Sequence, residues 1–211
     1  MRLSCVRVLK LLLAAIAVPG LVACNSTTSD NASAGPPAAQ SAAPANTQTP
    51  LERGKYLVNA AGCNDCHSPK KYGPQGPEID TSRLLSGHPE DEKILKGFTP
   101  AKGSPWIAAA NANFTAWSGP WGVSFAAANL TPDANTGLRS GVWTEELFIK
   151  ALRTGKHMGT SRDILPPMPW QDFAQLTDED LRAIWAYLGA IPPVTNHVPD
   201  PIPPPGAPAT R

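Results

Sequence analysis

The residues best placed to do chemistry are Cys63-Asn64-Asp65-Cys66-His67, two thiols three positions apart with an imidazole directly after them. Thiols at that spacing on one helical turn can each form a thioether to one vinyl group of a haem, and the histidine that follows then faces the iron. Three other chemistries use similar residues. A structural zinc site needs four ligands, but the remaining histidines, His88, His157 and His197, supply no second pair at finger spacing. A thioredoxin-type redox pair sits in a βαβ context that this chain lacks. A plain disulfide between the two cysteines is possible in an oxidising compartment. Covalent attachment of one haem is the reading favoured here, with Cys63 and Cys66 as thioether donors and His67 as proximal ligand.

The iron then needs a sixth ligand. Beyond Met1 the chain offers only Met158 and Met168. Met168 stands in Ile164-Leu165-Pro166-Pro167-Met168-Pro169-Trp170. Three prolines remove N–H donors and fix φ, so this stretch is stiff enough to hold a thioether at a set height over a ring. Met168 is the expected distal ligand. Met158 and His157, beside Gly155 and Gly159, are the alternatives, and a core gap-filling role is the competing account of Met168.

Helices must position these groups. Thr49-Pro50-Leu51-Glu52 combines a Thr cap, proline at the first helical position and Glu three residues after the cap, and predicts a helix to about Ala61. Trp143-Thr144-Glu145-Glu146-Leu147-Phe148 opens a second, with acidic residues at its positive end and Trp143 and Phe148 spaced as a hydrophobic staple; Gly155 stops it. A third starts at Thr177, where Leu181, Ile184, Trp185 and Leu188 repeat at helical spacing before Gly189. No alternating run of strand length competes. Residues 83–142, rich in Gly, Ala, Asn and Trp, read as a long loop-dominated insertion pinned by Trp106, Trp117 and Trp121. The expected fold class is all-α: short helices around one haem, with that insertion.

The ends of the 211-residue chain look different. Residues 1–23 have a basic start, an apolar stretch from Leu11 to Val18 and a Pro19-Gly20 break, as an export signal does, and the apolar run is too short to span a bilayer well. Leu21-Val22-Ala23-Cys24 resembles the lipobox of bacterial lipoproteins, which implies lipid on Cys24. Several acyl chains on one cysteine would anchor the protein durably. Residues 24–50 are Ala, Ser, Thr, Asn and Pro with few charges, too polar to fold alone, and read as a disordered membrane tether with a span of about 28 Å. Residues 194–211 read as a Pro-rich disordered tail, which leaves 51–193 as the folded domain. Proline, at 24 residues, is the compositional outlier. The formal charge of +1, from 18 basic and 17 acidic residues, argues against a nucleic-acid partner.

With these residues in view, the chain resembles the class I c-type cytochromes, and in particular the haem modules of cytochrome subunits of periplasmic dehydrogenases. The resemblance covers nearly all of 51–193. It rests on Arg53 to Val58, the Cys63–His67 motif, Asn129-Leu130-Thr131-Pro132-Asp133 with Gly137, Trp143 to Gly155, Pro167-Met168-Pro169 and Leu176 to Leu181. It implies a cytochrome c fold whose first and last helices cross, with Gly54 and Tyr56 or Leu57 against Trp185 or Leu188. It also implies a proline carbonyl that orients the proximal histidine, for which Pro74 and Pro77 are the candidates.

The function implied is one-electron transfer by a membrane-tethered monohaem cytochrome, facing the periplasm, with haem c as its cofactor and no catalysis of its own. Its partners would be redox proteins, such as a dehydrogenase, an oxidase or another cytochrome. The alternative is a haem enzyme or gas sensor with an open or exchangeable sixth site. A basic rim of Lys70, Lys71, Lys150, Arg153, Lys156 and Arg162 is expected to steer an acidic partner.

Overall fold

The computed structural model describes residues 47–94, 97–126 and 128–207. The expected leader 1–23, Cys24 and the tether up to residue 46 lie outside the described residues. Among the described residues no helix is long and apolar enough to cross a membrane.

Helix α1, Pro50–Ala60, begins as its sequence dictates: the Thr49 hydroxyl accepts from the Glu52 N–H at 3.3 Å, and the Thr49 N–H donates to the Glu52 carboxylate at 2.9 Å. Helix α5, Asp178–Leu188, is capped in the same way by Thr177, which accepts from the Asp180 N–H. The two helices cross where Gly54 removes all side-chain bulk. A Cβ on Gly54 would lie 1.9 Å from the Ala183 carbonyl oxygen and 2.8 Å from the Tyr187 Cβ. The crossing point is thus Ala183 and Tyr187, one or two positions along α5 from the expected Trp185 and Leu188 and so on a neighbouring face of the helix. Those two residues instead join Leu57 and Val58 in the main core cluster, while Tyr56 faces solvent, 5.6 Å below the Arg53 guanidinium. Arg53 closes the crossing with a two-pronged ion pair to Asp180, at 2.8 and 3.2 Å.

Because the atom that a Gly54 side chain would strike is backbone, it cannot rotate away. Gly54→Val is expected to destabilise the protein by about 3 kcal/mol, the upper part of the overpacking range. A urea midpoint unchanged from the parent, at equal m-value, would contradict this crossing.

Helix α2, Cys63–His67, is one turn long and follows directly from α1. Helix α3, Glu145–Thr154, is capped by Thr144, which accepts from the Leu147 N–H at 3.2 Å, and ends at Gly155 with φ +66°. Trp143 and Phe148 join the same core cluster, consistent with the staple spacing. The short α4, Trp170–Phe173, lies between the Met168 loop and α5.

The fold is not purely all-α, and this corrects the expectation. Lys70–Gly73 (β1) pairs antiparallel with Gly76–Ile79 (β2). Ala109–Ala110 (β3), Ala116–Gly119 (β4) and Gly122–Phe125 (β5) form a three-stranded antiparallel sheet inside the 83–142 segment. These strands span two to four residues. Such lengths are too short for a period of two to stand out, and every residue of β5 is buried, so it has no polar face to alternate with.

The chain keeps packing beyond residue 193. After α5 the chain continues across the insertion. The Val194 N–H donates to the Thr131 hydroxyl at 3.1 Å, and the Thr195 hydroxyl donates to Asp133 at 2.8 Å. Asn196 is buried and donates to the Ser86 and His88 carbonyls at 2.7 and 2.9 Å. Proline content argued for a solvated tail, but the polar residues between the prolines provide the anchors.

Candidate functional site

A cavity of about 370 Å³ opens between α2, α3, α5, the loop 164–169 and the insertion. Cys63, Cys66, His67 and Met168 all line it; so does His157, and Met158 does not. The rest of the wall is largely apolar, with Trp117, Phe125, Trp143, Phe148, Phe173 and Leu188 among its members.

The proximal side is built by α2. Gly62, with φ +69°, turns the chain from α1 into the one-turn helix that presents both thiols. Burial pushes the Cys63 thiol up to about 11 and raises that of Cys66 as well. Thiols so protonated at neutral pH are poor nucleophiles, unlike the activated thiolate of a thiol–disulfide exchange centre. Lys70 folds back, and its ammonium donates to the Asn64, Asp65 and Ser68 carbonyls at 3.2, 2.9 and 2.5 Å, holding the end of α2. The next residues are fixed in turn: Ser68 is fully buried and its hydroxyl accepts from the Leu85 N–H at 2.8 Å, while the Gly87 N–H donates to the His67 carbonyl at 2.8 Å.

The orientation of His67 departs from expectation. Its Nδ1 lies 3.2 Å from the Ala128 carbonyl, not from a proline. Pro74 lies in the turn of the β1–β2 hairpin and Pro77 within β2. A carbonyl can only accept, so Nδ1 carries the proton and Nε2 keeps its lone pair, the tautomer a metal ligand needs. Burial lowers the His67 pKa, which favours the neutral ring. Nothing in the sequence marked Ala128, because the contact uses backbone and bridges 61 positions.

The loop that carries Met168 is held from three directions. The Ile164 N–H donates to the Gly155 carbonyl at 2.8 Å. Trp170 packs over Gly155 so closely that a Cβ there would lie 2.3 Å from the indole. The Ser124 hydroxyl of β5 donates to the Pro166 carbonyl. The insertion therefore touches both sides of the cavity, through Ala128 to His67 and through Ser124 to Pro166.

The expected basic rim is largely engaged within the molecule. Lys71 pairs with Asp80 at 2.8 Å, Arg153 with Asp178 at 2.6 Å and Lys156 with Asp163 at 2.5 Å, and Lys70 caps α2. Asp80 is almost fully buried and held far below the usual carboxylate range: burial alone would raise it, but hydrogen bonds from Lys71, Ser82 and Arg83 overcome that. These cations brace the hairpin and the helix ends more than they project a field.

Among the described residues no group of three or more His, Cys, Asp or Glu side chains is placed to hold a metal ion by itself. What the cavity assembles is two thiols, an imidazole with a free Nε2, a thioether and apolar walls. That donor set fits a covalently attached haem, whose flat apolar ring needs such walls and whose iron takes nitrogen and soft sulfur.

No family model matches the chain. It is 30% identical over 146 residues to the fructose dehydrogenase cytochrome subunit of Gluconobacter japonicus, covering 69% of this chain and 22% of that protein. It is 40% identical over 75 residues to the cytochrome c subunit of the quinone-type alcohol dehydrogenase of Gluconobacter oxydans, covering 34% and 15%. It is 29% identical over 147 residues to a diheme cytochrome c-type protein of Cereibacter sphaeroides, covering 68% and 36%. The chain spans between 7% and 36% of the length of the curated relatives it matches. The three described are named as cytochromes or cytochrome subunits, two of them of dehydrogenases, and the similarity supports a c-type cytochrome module in this chain.

Proposed function

We propose that the protein is a monohaem c-type cytochrome that carries one electron at a time in the bacterial cell envelope. The observation that carries this reading is the convergence of Cys63, Cys66, His67 and Met168 on one apolar cavity. Haem c, when bound, supplies an iron that cycles between Fe(III) and Fe(II). Cys63 and Cys66 would hold the ring covalently, and His67, through Nε2, and Met168 would be the ligands offered to its iron. A thioether ligand favours Fe(II) and raises the potential, and a filled coordination shell disfavours catalysis on added substrates.

The chain's own residues serve a carrier. The Ala128 carbonyl fixes the His67 tautomer, with the proton on Nδ1 and Nε2 left to bind metal. The tethered Met168 loop limits movement of the sulfur, so little reorganisation accompanies each transfer. The walls keep water from the ring. A single Cys-x-x-Cys-His motif in the sequence supports one haem. The resemblance to dehydrogenase cytochrome subunits supports a dehydrogenase as electron donor, with another cytochrome or an oxidase as acceptor. The lipobox-like Leu21–Cys24 and the polar segment after it support a periplasm-facing domain tethered to the membrane by lipid on Cys24.

A spectroelectrochemical titration tests the proposal. The expected result is a single reversible one-electron wave, with low-spin spectra in both oxidation states and no change on adding cyanide at concentrations that saturate an open haem. A high-spin ferric spectrum, or rapid ligand binding, would favour the haem enzyme or sensor instead.

A further inference from the structure

The segment that follows Asn196 ends at the cavity. Val198 packs over Gly87, where a Cβ would lie 2.7 Å from its methyl carbon. Ile202 pairs with Val123 of β5 through two backbone hydrogen bonds, of 2.7 and 2.9 Å. Gly122, with φ +95°, leaves room for this: a Cβ there would lie 2.1 Å from the Ile202 carbonyl oxygen. Between the two attachments, Pro201 lines the same cavity as Cys63 and Met168.

Arg162 lines that cavity too, and it is the only lysine or arginine among the described residues that does. Among the described residues its guanidinium makes one hydrogen bond, a long one of 3.4 Å to the carbonyl of its neighbour Asp163, and belongs to no ion pair. Burial lowers the pKa of Arg162, and the Asp200 carboxylate acts in the opposite direction; the other charged and titratable groups around it are His157, which also lines the cavity, and the Lys156–Asp163 pair. Asp65 lies on the cavity wall formed by α2. A haem carries two carboxylates besides its flat apolar ring, and a largely apolar cavity offers them few partners. A guanidinium with free N–H groups is suited to meet one of them with a charge-assisted hydrogen bond.

We propose that residues 198–203 are part of the haem site: strapped to Gly87 and Val123, they place Pro201 on the wall of the cavity that Arg162 also lines, with Asp200 next to it in the chain, and Arg162 meets one carboxylate of the haem. This rests on the haem reading above. The strap is then a positioning element, and Arg162 a cofactor-binding residue.

The test uses the full-length haem-loaded protein and four variants: Arg162→Gln, Arg162→Lys, Asp200→Asn and, as a cation away from the cavity, Arg153→Gln. The readout is the midpoint potential as a function of pH from 5 to 8. Loss of a cation beside the haem favours Fe(III), so Arg162→Gln should shift the one-electron equilibrium about tenfold toward Fe(III) at pH 8, or about 59 mV. A haem carboxylate without its cation also takes up a proton more readily, so this variant should gain a fall of potential with rising pH that the parent lacks. Arg162→Lys keeps the charge and should recover most of the shift. Asp200→Asn removes an anion from the same cluster and should move the potential in the opposite direction, while Arg153→Gln should leave it in place.

If Arg162→Gln and Arg153→Gln give equal shifts, or if Arg162→Gln adds no pH dependence, the contact with the haem is wrong. If Asp200→Asn has no effect, the strap does not reach the site. Failure of the haem reading itself is distinct, because the parent protein would then carry no covalent haem to titrate.

Discussion

Replacing Met168 with alanine should abolish the near-infrared sulfur-to-iron band, turn the ferric spectrum high-spin and lower the midpoint potential, whereas Met158→Ala should change none of these. The expected fall is at least about 59 mV, a tenfold change in the one-electron equilibrium, and lies well within the roughly 0.8 V that axial ligation spans. The prediction discriminates because the Met168 loop does not depend on its thioether for its path. Ile164 is bonded to Gly155, Pro166 to Ser124, and Trp170 is seated on Gly155. The alanine variant should therefore keep its haem and its fold and lose only the sulfur. Met158 sits in the 3-10 turn His157–Gly159 with φ +53° and does not line the cavity. Should Met158→Ala remove the band and Met168→Ala leave it, the assignment of the two methionines is reversed.

Substituting Cys63 and Cys66 together with alanine should have the largest effect of all, complete loss of covalently bound haem. Either single variant should retain one thioether and part of the haem. The two thiols differ in environment: Cys63 packs against the main core cluster, and Cys66 is not among the residues that do. Loss of Cys63 should therefore also lower stability: removing a sulfur from a packed site costs about 1–2 kcal/mol. The check is a haem stain after denaturing electrophoresis, with urea unfolding of each variant. Covalent haem persisting in the double variant would place the attachment elsewhere.

The helix starts were legible because capping is local: Thr49, Thr144 and Thr177 each accept from an N–H three residues on. The spacing of Cys63, Cys66 and His67 was legible for the same reason, since one helical turn brings them to one wall. What sequence reasoning missed is carried by backbone groups over long separations. The Ala128 carbonyl on His67 is one case, and the Ser124 hydroxyl on the Pro166 carbonyl is another, 42 positions apart. A carbonyl leaves no mark on residue type, so prolines near His67 were the natural but mistaken candidates. The insertion looked like loop because its strands are short, yet it supplies a brace to each side of the cavity. The basic rim illustrates a further limit. Charges were visible in the sequence, but their partners Asp80, Asp163 and Asp178 were not, and pairing removes most of the field.

The measurement that bears most directly on the central claim is acid–acetone extraction of the purified, unmutated protein followed by a pyridine haemochrome spectrum of the pellet. The account predicts that the haem stays with the protein, with a reduced spectrum characteristic of two thioether bonds and a stoichiometry of one per chain. Haem passing entirely into the acetone phase, or a pellet that never contained any, would contradict it.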